Sequence, residues 1–319
     1  MSAHAAPRPL PLVLLVASAA LAAVEPLPEG ATGIAARHPG DVGIAADPAV
    51  VFADDFESYA DADALRAMWD LGVDGGVRIA TATDAVFAGG RAAEFALPTQ
   101  DAEAGASIRK RLFPERDVLF LRCYAKLDRR FDVVGSSHNG FGVGAHYDVD
   151  GRATPGIPAD GRNKFLVHCE CWRGDAGTPS PGSLNVYVYH PEQRSEWGDH
   201  FFPTGIVMPS TSTPFPYADG FVARPEVVPE LGRWYCYELM VQANTPGARD
   251  GRIAFWLDGR LVADLPGLRL RDVAELTIDT CSFGLHVHDH AKGETKWCDN
   301  VVVATSYIGP FAGADHGAD

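Results

Sequence analysis

The sequence predicts an all-β protein, a two-sheet β-sandwich or jelly roll with long irregular insertions. Three observations predict it. Residues 233–244 alternate, with Trp234, Cys236, Glu238, Met240 and Gln242 on one face and Tyr235, Tyr237, Leu239 and Val241 on the other. After breaks at Pro246-Gly247 and Asp250-Gly251, Ile253, Phe255 and Leu257 alternate again, and Asp258-Gly259 is a hairpin signal leading into Leu261 and Val262. Short runs of the same kind, bounded by turn residues, recur along the chain without an internal repeat or a separate domain.

Taken in order, the chain opens on an export signal. Arg8 precedes an apolar run over residues 10–23 that ends in small residues, which predicts a cleaved signal peptide over 1–23 and a secreted or periplasmic protein. A retained anchor is the alternative. No apolar run reaches the roughly 18 to 20 residues that span a bilayer, so no membrane association is expected after cleavage. Residues 24–49 are rich in Pro, Gly and Ala and read as a linker, followed by the jelly-roll domain over 50–310 and a disordered tail at 311–319. A short helical patch is expected at 61–69. Strands are expected at 77–83, 91–97, 107–112, 118–127, 165–173, 184–190, 275–283, 284–288 and 296–305, besides the hairpin pair. Residues 131–163 and 195–230 read as insertions long enough to have a task of their own.

The formal net charge of −15 excludes nucleic acid as a partner, because neutralising phosphates requires clustered Lys and Arg. An acidic sugar would need a local basic patch within this acidic exterior. Six cysteines in an exported chain predict disulfides, with fifteen pairings open. A zinc site through Cys169, Cys171 and His168 is the alternative. A monomer is expected.

Polar and aromatic residues recur on single strand faces. Arg122, Tyr124 and Lys126 share one; His168, Glu170 and Trp172 share another; Asn185, Tyr187 and Tyr189 share a third. If these strands are neighbours, they line one trough of the composition that sugar recognition needs, with rings for stacking and polar groups for hydroxyls. A one-sided sheet with a solvated face gives the same alternation and is the competing account.

Several segments occur in order: FLRCYAKLDRRFD, the CWR closing an alternating strand, YVYHP, the NTPG…DG…W-DG stretch and the final CDNVVVATSYIGP. Together, over roughly residues 50–310, they resemble the concanavalin A-like jelly rolls of polysaccharide lyase families 14 and 20, the alginate and glucuronan lyases. The resemblance implies β-elimination on a uronate chain, in which a base removes the C5 proton, a cationic or amide group neutralises the C6 carboxylate, and an acid protonates the departing O4. It implies Tyr187 and Tyr189 as the acid–base pair, His168 as partner base or neutraliser where the family has Arg, and Arg122 on the carboxylate. The family's Lys falls within 131–163, where His138 and His146 are the substitutes. Tyr124, Lys126, Glu170, Trp172, Asn185, His138, Glu238 and His286 are then the expected polysaccharide contacts. The resemblance also implies a structural Ca²⁺ held by Asp299 with backbone oxygens near Glu57 and Gly89. No organic cofactor is expected.

His286, His288 and His290 alternate onto one face and are candidates for a transition metal or a groove contact. A glycoside hydrolase would rest on Glu170 and Glu238 as a carboxylate pair. The rival to any enzyme is a non-catalytic carbohydrate-binding or laminin-G-like adhesion module.

Overall fold

The computed structural model describes residues 26–70, 75–135, 137–210, 213–218 and 221–312. The expected signal peptide over 1–23 lies outside the described residues, as do residues 313–319 of the expected tail. Strand makes up 44% of the structure and helix 6%, so the protein is all-β. The principal strands are β1 (Val50–Asp54), β2 (Val77–Ala80), β3 (Ala92–Ala96), β4 (Ala104–Arg116), β5 (Val118–Leu127), β6 (Phe141–Ala145), β7 (Phe165–Trp172) and β8 (Ser183–Tyr189). They continue with β9 (Asp199–Phe201), β10 (Ile206–Pro209), β11 (Tyr235–Gln242), β12 (Gly251–Leu257), β13 (Arg260–Leu268), β14 (Ile278–Val287) and β15 (Thr295–Ala304).

Two antiparallel sheets face each other. The first runs β13-β12-β11-β5-β15-β3-β2, with β1 also paired to β15. The second runs β10-β9-β8-β7-β6-β14-β4, extended beyond β10 by Phe215–Pro216, and Ser137–His138 pairs with β14. Alternation explains the core between them. Leu121, Cys123, Leu239, Val241, Phe255 and Val303 point inward from the first sheet, and Phe141, Val143, Val167, Cys169, Val186 and Phe283 from the second.

The expected helical patch is one short helix, Ala62–Arg66, with Asp61 accepting from Ala64 N at its start. The expected strands at 275–283 and 284–288 are a single strand, β14, which Gly284 does not break. The expected insertion over 131–163 contains β6, a central strand. Its sequence, FGVGA, hides it: Phe141, Val143 and Ala145 are core, while Gly142 and Gly144 supply no side chain to show alternation. Gly142 is required, since a Cβ there would run into Val167 O and His168.

Residues 26–49 are no linker. They form three 3₁₀ turns, and Ile34, Ala35 and Ile44 pack with Phe120, Met240, Trp256 and Ile308 on the outer face of the first sheet. The disulfide expectation is also corrected. All six cysteines are buried free thiols, five of them within the inter-sheet core, where they serve as small apolar side chains.

Glu238 is buried on that covered face, where its two oxygens accept from Ile308 N at 2.7 Å and Gly309 N at 2.8 Å. Burial outweighs these bonds and the Arg122 charge, raising its pKa from 4.5 to about 7. Between those values the folded chain keeps a proton that the unfolded chain has lost. Stability therefore falls as pH climbs through this window, by roughly 3 kcal/mol. Urea midpoints from acid to mildly alkaline pH are expected to show that slope in the wild type and a flatter one in Glu238→Gln, whatever the variant's constant offset. An equally steep slope in the variant would remove Glu238 as its cause.

Candidate active site

The exposed face of the second sheet carries a cavity of about 440 Å³, lined among others by Arg109, His138, His168, Tyr187, Tyr189, Ser282, His286 and His288. Strand register builds it in transverse rows, since directly paired residues lie on the same side of a sheet. One row runs His200, Tyr187, His168, Gly142, Ser282, Arg109 across six strands. A neighbouring row begins Asn185, Glu170, and beyond it His138 pairs with His286. The His168 ring lies over Gly142, and Gly284 lines the floor without a side chain.

Glu170 anchors the centre. It is 2% exposed, and its Oε2 lies 3.1 Å from His138 Nδ1. Burial pulls the His138 imidazole down, yet the Glu170 charge and hydrogen bond outweigh it and leave His138 above its ordinary range. The Tyr187 ring lies 5.0 Å from that imidazole. Its phenol oxygen accepts from Gly198 N at 2.9 Å, which leaves the O–H proton to be given elsewhere. Burial, followed by the Tyr189 contact, pushes Tyr187 far up, so the phenol is protonated at neutral pH. Tyr189 OH accepts from Gly156 N at 3.2 Å, on a loop edging the cavity.

Burial and the neighbouring His138 push His168 down to about 3, so it is a neutral imidazole whose Nε2 lies 2.9 Å from Ser282 Oγ. The same two causes put His200 at about 3, and its Nδ1 sits 2.9 Å from Asn185 Oδ1. Arg109 Nε stands 3.7 Å from Asp148 Oδ1. Among the described residues lining the cavity, Arg109 carries the only guanidinium.

The structure brings together His138, His168, Tyr187, Tyr189 and His286 around the cavity, with Glu170 and Asn185 buried beneath it. Trp172 lies off to one side against His200 and Phe202. Arg122, Tyr124, Lys126 and Glu238 belong to β5 and β11, in the opposite sheet, and face away from the cavity, the first two and Glu238 against the 26–49 segment or residues 308–311. Arg122 is ion-paired with Asp41, and Tyr124 OH accepts from Phe311 N at 2.7 Å. Lys126 donates to Asp84 O between Trp234 and Trp297. The hydrolase pair Glu170 and Glu238 is thereby split between sheets. His290 sits beyond the end of β14 with a φ of 52°, paired with Asp101 rather than with the other imidazoles.

Sequence reasoning missed Arg109, Ser282 and His200. The first was within reach: Ser107, Arg109 and Arg111 alternate with Ile108 and Leu112, which marks a polar face opposite a core face.

The carboxylates among the residues expected around Ca²⁺ are bonded to backbone amides. Asp299 Oδ2 accepts from Phe87 N and Ala88 N, and Glu57 Oε1 accepts from Gly90 N and Arg91 N. Gly89, at φ 73°, lets Glu57 approach, since a Cβ there would meet its carboxylate. Asp299, the one side-chain oxygen donor expected, thus spends Oδ2 on two amides and Oδ1 on Asn300 N. Calcium enters no step below.

No protein-family model matches the sequence, and no curated protein matches it. Solved structures do. Alginate lyase Aly36B, in complex with alginate trisaccharide, superposes with a TM-score of 0.57 at 17% identity, covering 80% of this chain and 98% of that one. Alginate lyase vAL-1 from Chlorella virus gives 0.55 at 14% identity over 81% and 100%. The marine PL-14 alginate lyase from Aplysia kurodai gives 0.52 at 14% identity over 80% and 99%. The chain has the fold of the alginate lyases. At such identities it is the jelly roll that is shared, and the chemistry is argued from the chain's own cavity.

Proposed function

We propose that the chain is an exported polysaccharide lyase that cleaves uronic-acid-containing polysaccharide by β-elimination. The observation that carries this reading is the His138–Glu170 pair set against the Tyr187 phenol at the cavity floor. Glu170 accepts the Nδ1 proton of His138, which makes Nε2 the basic nitrogen. His138 takes the C5 proton, and the electron pair left behind spreads into the C6 carboxylate. The C4–O4 bond then breaks, a C4=C5 double bond forms, and O4 receives the Tyr187 proton. Arg109, on the same transverse row, is the cation for the carboxylate, in the role the sequence had given to Arg122. His168 and Ser282, both uncharged, bond sugar hydroxyls. After one turnover His138 holds a proton that Tyr187 lacks, and the adjacency of the two rings allows the exchange that resets them.

Purified protein incubated with alginate, glucuronan and neutral glucans is expected to generate ultraviolet-absorbing unsaturated ends on a uronate polymer alone. Binding without any new absorbance would replace the lyase with a carbohydrate-binding module.

A further inference from the structure

The lyase reading uses one imidazole of a cluster of three. His286 near the end of β14 and His288, one residue beyond it, flank buried Val287, with ring centroids 4.5 Å apart. His138, paired in register with His286, brings its ring to 6.0 Å from His286 and 5.3 Å from His288. One ring nitrogen from each lies within 4.8 Å of the other two. Two of the rings are also oriented by carboxylates: Glu170 at 3.1 Å from His138 Nδ1 and Glu103 at 2.8 Å from His286 Nε2. A carboxylate on one nitrogen of an imidazole, turning the other toward an ion, is the usual support of a ligating histidine.

We propose that His138, His286 and His288 bind one first-row transition ion of the zinc class at the rim of the groove. Three imidazoles suit such an ion, whereas Ca²⁺ and Mg²⁺ require oxygen. Zinc–nitrogen bonds of about 2.0–2.1 Å need the three nitrogens drawn closer, and His288, the exposed member, has room to swing inward. A three-histidine set leaves a fourth position for water. The ion also occupies the His138 nitrogen that acts as base, so it inhibits elimination. This last consequence rests on the lyase reading; the binding does not.

The test uses the full chain, stripped with chelator and titrated with Co²⁺ by visible absorption, then with Zn²⁺ in competition. One equivalent of Co²⁺ with a tetrahedral spectrum is expected, abolished in His286→Ala and in His288→Ala. Glu103→Gln, an exposed and fold-neutral change, is expected to weaken binding about 10–100-fold. No stoichiometric spectrum, or one unchanged in both histidine variants, overturns the site. If the protein proves to have no lyase activity, these spectra still decide. If the spectrum survives in His138→Ala, His138 is not a ligand and the three-histidine site falls; if it is lost there and one bound equivalent of Zn²⁺ leaves the rate of an active protein unchanged, the site stands and His138 is not the base.

Discussion

Tyr187→Phe is expected to lower turnover on uronate polymer by about 10²–10⁴-fold, the range that a positioned general acid contributes. The substitution removes the only proton this reading gives to O4 and leaves the ring against His138 in place. It also strips Gly198 N of its acceptor, a buried loss of about 1–3 kcal/mol. Thermal melts must therefore accompany the kinetics, and the rate is compared at temperatures where both proteins are folded. His138→Ala is expected to match that loss, and the double variant to lose little more, because acid and base act in one step. Tyr189→Phe is expected to fall well short of it, since Tyr189 lies a further ring away and bonds the loop at Gly156. Full activity in Tyr187→Phe, or a larger loss at Tyr189, would sink the assignment of the acid.

The reach of the sequence here follows from what alternation encodes. A period of two fixes which residues share a face of a strand, so His168, Tyr187 and Tyr189 reach the cavity with Glu170 and Asn185 buried beneath it, while Trp172, grouped with His168 and Glu170, lies to one side. It does not encode the sheet to which a strand belongs. Arg122, Tyr124 and Lys126 alternate just as cleanly, yet β5 pairs with β11 and β15, more than a hundred residues downstream, and that pairing turns them away from the groove. The outer face of a jelly roll reads as polar only where water covers it. Here the 26–49 segment covers it, and three 3₁₀ turns have no period by which to announce a buried role. The strand beneath His168 was hidden for the opposite reason. Gly142 and Gly144 serve by having no side chain, and a strand whose outward positions are empty looks like a loop.

Arg122→Ala tests that difference between face and sheet, and its expected result is a loss of stability rather than of catalysis. The guanidinium is wholly buried against Asp41, whose side chain is 7% exposed, and packs over the rings of Tyr124 and Phe311 at 5.3 and 5.5 Å. Burial works against the charge on Arg122, and the Asp41 carboxylate more than offsets it, holding the arginine charged. Removing one member strands the other in a medium that cannot solvate it, which costs about 3–5 kcal/mol. Asp41→Asn is expected to cost a similar amount. Arg122→Met combined with Asp41→Leu removes both charges and fills the same space, so it is expected to recover most of the loss. Urea denaturation of these proteins beside the wild type measures the losses, and the single variants Arg122→Met and Asp41→Leu close the cycle that gives the coupling. Specific activity of the folded protein should stay near wild type throughout, because the first sheet's core-facing side chains stand between this pair and the groove. A stable Arg122→Ala protein with no turnover would return the arginine to the chemistry and place the reacting centre on the wrong face of this molecule.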